Sequence, residues 1–432
     1  GLVVSVGGLA GPMLSVLLVT AVLAGAALSA AAQAQEPVTI RYWQYYFQTK
    51  VELIDELIAE FEAQNPGIRV IHQDFPYEAY GPRVATAIPA GEGPEIANLF
   101  YGWLPAWVNA GYLMPLPIPA EEIEAEFVPM VQAAKVDGQY YGLPTGVRTL
   151  ALFVNMDMLR AAGFDGEIKT WDDFIEAGQR MAERRGPFYT RLGFGFGPAG
   201  QDHHLVREVL IRQFGGRPYS DDNRQVLYNS EAGVQALKFY TDWQLHYGLG
   251  DVEFFPGRAD YRDGFIAGLI GMILDGSFAI GTIRNGVGDQ FEWAVMELPV
   301  FDENDRHNFG SFWMHGLTPR AYEDPAKLEA SVKFLQFITS EYAMKRWLEH
   351  VGELPARQSL AEDPELAGHP LYGPFIRSLP YSHATFFVDE EGQRRIMVDA
   401  INRVLLQGMD PAESIRIAAA EEQQLLDAFW NR

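Results

Sequence analysis

The residues of this chain best suited to holding a small molecule are its aromatic side chains, which include nine Trp and nineteen Tyr. Two groups stand just past predicted strands. Gln44, Tyr45 and Tyr46 follow Val38 to Tyr42, where apolar and polar residues alternate, and Tyr101 and Trp103 follow the apolar run Ile96 to Phe100. Rings offer flat apolar faces, and the amide and hydroxyls beside them can hydrogen-bond, so the chemistry they suit is non-covalent binding. Ordinary packing explains any one ring equally well. Taken as a group, at least two are expected to meet a ligand.

Other constellations suggest other chemistry and are weaker. Gly195-Phe196-Gly197-Pro198-Ala199-Gly200 fits G-x-G-x-x-G, with Asp221 about twenty residues on. No apolar strand precedes Asp221, however, so a glycine-rich loop is expected rather than a dinucleotide site. His203 and His204 with Glu208 raise a metal site. Adjacent side chains on a helix point apart, and no H-E-x-x-H is present, so a helix cap or a surface position is expected. Carboxylates are abundant, but no local motif pairs two of them for glycoside hydrolysis. No G-x-S-x-G nucleophile elbow occurs. The chain has no cysteine, which excludes disulfides, thiolate metal sites, catalytic thiols and a lipid-modified N-terminal Cys. No catalytic residue, metal or cofactor is therefore expected.

The elements that must position these residues alternate strand and helix, which predicts an α/β class. Thr49 with Glu52 reads as a capping box. Leu53, Ile54, Leu57, Ile58 and Phe61 share one helical face, and Asn65-Pro66-Gly67 ends that helix. Ile68 to Ile71 then resumes as a strand. This order implies a right-handed parallel crossover, with ligands beyond the C-terminal strand ends. Thr170, Ser230 and Asp324-Pro325 each read as helix starts. The length, 432 residues, predicts two domains. The net charge of -24 argues against nucleic acid and anionic membranes as partners. Residues 1–34 read as a signal peptide: Met13 to Ala32 is apolar and uncharged, and Ala32-Gln33-Ala34 is an A-x-A site that places cleavage before Gln35. A membrane anchor is the competing reading of that run.

Several ordered motifs resemble the extracellular solute-binding proteins of carbohydrate ABC importers, the family that includes maltose-binding protein. They are Asp137-Gly138-Gln139-Tyr140-Tyr141-Gly142-Leu143-Pro144, then Phe153-Val154-Asn155-Met156-Asp157-Met158-Leu159, then Thr170-Trp171-Asp172-Asp173-Phe174. Phe265 to Phe278, with its Asp275-Gly276-Ser277-Phe278 ending, follows. Gly352-Glu353-Leu354-Pro355 and Gly408-Met409-Asp410-Pro411 close the series. The resemblance implies a two-lobed periplasmic-binding-protein fold with interlobe hinge strands. It places lobe 1 at 35–143 and 298–340 and lobe 2 at 144–297 and 341–432. Prolines at Tyr141 to Thr145 and Glu297 to Val300 suit crossing strands with a fixed bend.

The resemblance also implies the site. Phe278 takes the place of an aromatic sugar platform after the Asp275-Gly276-Ser277 turn, and Trp313 and His315 sit where the first lobe approaches ligand. Arg148, Asp275 and Arg357 are second-lobe candidates for hydroxyl binding. In the wider superfamily, paired tyrosines bind ferric ion; here Tyr140-Tyr141 belongs to the hinge motif, and alternation separates the two rings. The expected function is a monomeric periplasmic binding protein, not an enzyme. It would take a sugar or oligosaccharide by hinge closure and deliver it to permease subunits in the inner membrane. A secreted carbohydrate-active enzyme and a binder of another solute, such as a glycerol phosphodiester, are the alternatives.

Overall fold

The computed structural model describes residues 36–255 and 260–432. The expected signal peptide lies outside the described residues. In chain order the strands are β1 (Val38–Tyr45), β2 (Ile68–Phe75), β3 (Ile96–Phe100), β4 (Leu143–Arg148), β5 (Leu150–Asn155), β6 (Glu183–Arg185), β7 (Phe188–Phe194), β8 (Ile270–Gly276), β9 (Trp293–Met296), β10 (Asn308–Leu317) and β11 (Ser382–Ala384). The helices used below are α1 (Gln48–Gln64), α2 (Trp171–Met181), α3 (Glu231–Leu245), α4 (Pro325–Ile338), α5 (Glu341–Val351), α6 (Glu390–Gln407) and α7 (Pro411–Trp430).

Two sheets form. The first has the order β11-β10-β3-β1-β2, with β4 also paired to β10. β1 runs parallel to β2 and β3, as a right-handed crossover through α1 requires. β10 runs antiparallel to β3 and β4. The second sheet has the order β9-β5-β8-β7-β6. In it β8 runs parallel to β7 and antiparallel to β5.

Local chemistry accounts for most helix ends. Thr170 and Asp173 form a complete capping box at α2. Ser230 and Asp324 cap α3 and α4, with Pro325 in the first turn. Gly352 and Gly408, both at positive φ, end α5 and α6. Thr49 differs from its expected role. α1 begins one residue earlier, at Gln48, and the Thr49 hydroxyl is buried without a hydrogen-bond partner.

The chain passes between the sheets at places other than the expected prolines. β4 stays in the first sheet as far as Arg148, and Thr149 alone separates it from β5 of the second. Pro144 falls inside β4, opposite Met314 at a register shift, where its missing N–H costs the ladder little. Val300 still bridges Thr170 of the second lobe, so the return lies between Val300 and Asn308. The joints expected at 143 and 297 are thereby corrected. So is the assignment of the stretch just after 340 to lobe 2. α5 packs on α1, and Leu354 bridges Val147, which keeps this stretch in the first lobe. The last passage follows β11, after which α6 and α7 pack on α3. At the first joint the buried Asn308 side chain bonds both backbone groups of Leu150, at 3.2 Å from the N–H and 2.8 Å to the carbonyl.

Candidate ligand-binding cleft

The C-terminal end of β1, the end of β3 and the middle of β10 lie side by side, because β10 is antiparallel to β3. This brings Tyr45, Phe100, Trp103 and Trp313 into one cluster. The rings of Tyr45 and Trp313 are 4.2 Å apart, Trp103 meets Trp313 edge-on at 5.1 Å, and Phe100 lies 5.7 Å from Trp313. Tyr77, half exposed, joins Tyr45 at 5.6 Å. Burial raises the Tyr77 hydroxyl pKa, and the Glu390 and Glu391 charges raise it further. Tyr77 of the first lobe therefore faces the acidic start of α6 in the second.

A cavity of about 160 Å³ lies between the lobes, lined by Phe100, Arg148, Ser311, Gln201, His204, Phe278 and Glu390, among others. Phe278 follows β8, and its ring folds back over Gly276. A Cβ on Gly276 would stand 2.3 Å from that ring, so the ring can hold this position only over a glycine. Two guanidinium groups cover the ring. Arg148 lies 4.9 Å and Arg262 5.6 Å from its centroid. Each is tethered to a buried carboxylate. Asp275 takes both Nε and Nη2 of Arg262, at 2.7 and 3.0 Å, and Glu353 takes Nε of Arg148 at 2.6 Å.

Glu353 has further partners. Trp347 Nε1 donates to it at 2.8 Å, and the Lys50 ammonium lies 3.5 Å away. Lys50 also donates to the Tyr45 hydroxyl at 2.8 Å and sits over the rings of Tyr45, Phe47 and Trp313. Burial lowers the Lys50 pKa, although the Glu353 charge opposes this, and the result is about 8. Burial alone would raise the Glu353 pKa, but the Lys50 and Arg148 charges outweigh it and bring it down to about 2.

Of the expected residues, the structure brings together Tyr45, Trp103, Trp313, Arg148 and Phe278. Gly276 and Ser277 build the turn, and Ser277 Oγ donates to the Gly352 carbonyl of the first lobe at 2.7 Å. Tyr46 is exposed at the end of β1. The rest stand elsewhere. Gln44 is 1% exposed and bonds His72 within the sheet. His315, also 1% exposed, bonds Tyr42 and Thr145, and burial holds it neutral. Tyr101 stacks on Phe312 and lines a second cavity, of about 570 Å³, with His383 and Phe386. Asp275 is consumed by Arg262. Arg357 is a first-lobe residue, tied to the Thr339 carbonyl and Glu126.

One other expectation is corrected. His203 and His204 are neither capping nor at the surface: their rings are 3.8 Å apart, and His204 stacks on Phe309 at 3.7 Å. The turns just after them are π-helical, which changes the angle between successive side chains. The glycines at 197 and 200 are explained by packing, since a Cβ on either would stand 2.5 Å from Tyr261, from its ring at 197 and its hydroxyl at 200.

Sequence reasoning missed Lys50, Tyr77, Arg262, Glu353 and Glu390. Lys50 carried a signal. It stands three residues before Leu53, on the buried face of α1. Among the described residues, no group of three or more His, Cys, Asp or Glu could hold a metal ion, and no helix is long and apolar enough to cross a membrane.

Comparison with known proteins agrees with this architecture. The structure superposes on a cyclic alpha-maltosyl-1,6-maltose binding protein from Arthrobacter globiformis with a TM-score of 0.78 at 19% identity, covering 91% of this chain and 100% of that one. In sequence the chain is 25% identical to an arabinooligosaccharide-binding protein of Halalkalibacterium halodurans, over 51% of this chain and 49% of that protein. It spans about half the length of that relative. It is 21% identical to a maltotriose-binding protein of Pyrococcus abyssi, over 79% of this chain and 71% of that protein. The sequence model described as bacterial extracellular solute-binding protein matches residues 56–374, most of the chain, and the chain therefore belongs to that family.

Proposed function

We propose that this protein captures an oligosaccharide between its lobes, without turning it over, and presents it to the permease subunits of an ABC importer. It would work as a monomer in the periplasm. The observation that carries the reading is the pairing of two walls. Tyr45, Tyr77, Trp103 and Trp313 cluster beside Phe100 in one lobe, and Phe100 lines the same interlobe cavity as Phe278, whose ring Arg148 and Arg262 cover. Sugars present apolar C–H faces and rims of hydroxyls. Rings suit the first, and Arg148, Gln201, Ser311 and Glu390 suit the second. The binding of arabinooligosaccharide and of maltotriose by relatives of the chain supports the same ligand class.

A thermal-shift screen with maltotriose, arabinotriose and their longer homologues tests the proposal. A ligand of the native state raises the melting temperature by mass action. The expected result is a saturable rise with one sugar series, with that sugar unchanged in mass after incubation. A panel without any rise, or cleavage of the sugar, would overturn the reading.

A further inference from the structure

Glu353 makes contacts that neither a helix cap nor a simple core pair would need. Its carboxylate is 2% exposed, and it meets three donors from three elements: Arg148 at the end of β4, Lys50 in α1 and Trp347 in α5. Burying such a cluster adds little net stability, because desolvation offsets the attraction and apolar residues of similar size often do as well. What the cluster does do is fix directions. Arg148 is drawn over the Phe278 ring of the second lobe. Lys50 is drawn under Tyr45 and Trp313 of the first. The preceding residue, Gly352, accepts the Ser277 hydroxyl from the second lobe.

We infer that Glu353 is a positioning residue that sets both walls of the cleft at once, holding Arg148 against Phe278 and Lys50 beneath Tyr45 and Trp313. The inference rests on the reading of this cleft as the ligand site. It goes further by making one buried carboxylate the common anchor of two first-lobe cations, one of which, Arg148, reaches Phe278 of the second lobe. The charged and titratable groups facing Lys50 are Glu353, Arg148 on β4, Tyr45 on β1 and His315 on β10. His315 is held neutral by burial, so Glu353 is the one anion among them.

The test uses the full mature protein, with maltotriose and arabinotriose as probes, followed by calorimetry from pH 6 to pH 9. The variants are Glu353→Gln, Glu353→Asp and Lys50→Met. Tryptophan emission of the ligand-free protein is recorded over the same range, since Trp313 and Trp347 both touch the cluster. In the wild type, emission and affinity should both step as Lys50 loses its proton near pH 8. Glu353→Gln keeps the shape but removes the charge that raises the Lys50 pKa. Its step should move to lower pH, and its affinity at neutral pH should fall roughly tenfold, the loss expected of one charge-assisted hydrogen bond. Glu353→Asp restores the charge and should return the step toward its wild-type position. Lys50→Met should show no step. A folded Glu353→Gln protein with wild-type affinity and a wild-type pH step would overturn the inference, and so would a step that survives in Lys50→Met. A wild type that shows the emission step but binds neither probe would instead sink the reading of the cleft, and the role of Glu353 in binding would fall with it.

Discussion

A Cβ placed on Gly276 would stand 2.3 Å from Cε1 and 2.8 Å from Cδ1 of Phe278, so the ring lies where it does because residue 276 has no side chain. The backbone there is at φ -94, which any residue can adopt, so Gly276→Ala should fold and simply push the ring aside. Calorimetry should show about a tenfold loss of sugar affinity, ~1.4 kcal/mol, with little change in melting temperature. Phe278→Ala should cost a similar amount, while Asp275→Asn should act indirectly, by freeing Arg262. Glu353 carries a second expectation. Its pKa falls from 4.5 to about 2 on folding, so it adds stability above about pH 4.5 that is lost as the pH falls toward 2. At neutral pH this gain is offset by the cost of keeping Lys50 charged, whose pKa falls by a similar amount. The acid limb of a denaturation profile should therefore flatten in Glu353→Gln. At this scale the sequence was half legible. Aromatic residues past strand ends pointed to Tyr45 and Trp103, and the family resemblance pointed to Trp313. Nothing local said that Gln44, one residue before Tyr45, would face a neighbouring strand, or that Asp275 would be spent on an arginine thirteen residues earlier. Partnerships across 205 residues, such as Arg148 with Glu353, have no local signature.

Among the elements, those built from nearby residues were read well. The capping box at Thr170, the Ser230 and Asp324 caps and the β1-α1-β2 crossover all follow from spacing of a few residues. Thr170→Ala should cost about 1 kcal/mol of stability and leave sugar affinity unchanged, since α2 lies away from the cleft cavity lining. The joints between the lobes were carried over from the family resemblance, and the prolines at 144 and 299 only suited them. Where a strand changes sheets depends on pairing partners far along the chain, and β4 follows β10 across more than a hundred residues regardless of Pro144. The true joint is held by a side chain. Asn308→Ala would leave the N–H and carbonyl of Leu150 without their partner in a buried setting, at roughly 1–3 kcal/mol for each unmet group. Urea unfolding should show that loss, and the loss should exceed that of Thr170→Ala.

For the whole molecule, closure of two lobes on a ligand predicts a smaller radius of gyration in small-angle scattering at saturating sugar, with an unchanged far-ultraviolet spectrum. Identical profiles with and without sugar would argue against closure. The net charge of -24 is spread over a surface that a neutral sugar does not neutralise, so affinity should vary little between low and high salt. A steep decline with salt would point instead to an anionic ligand at Arg148 or Arg262. The clamp of Asn308 on Leu150 limits what kind of movement closure can be. Because one side chain grips both the donor and the acceptor of a single peptide position, the two crossing strands cannot slide past each other without breaking both bonds. Rotation about that point breaks neither. The joint is thus a pin and not a rail: the lobes are free to swing and twist, but translation of one along the other is blocked. A spin-label pair spanning the joint should report one unvarying distance while pairs at the lobe tips report two.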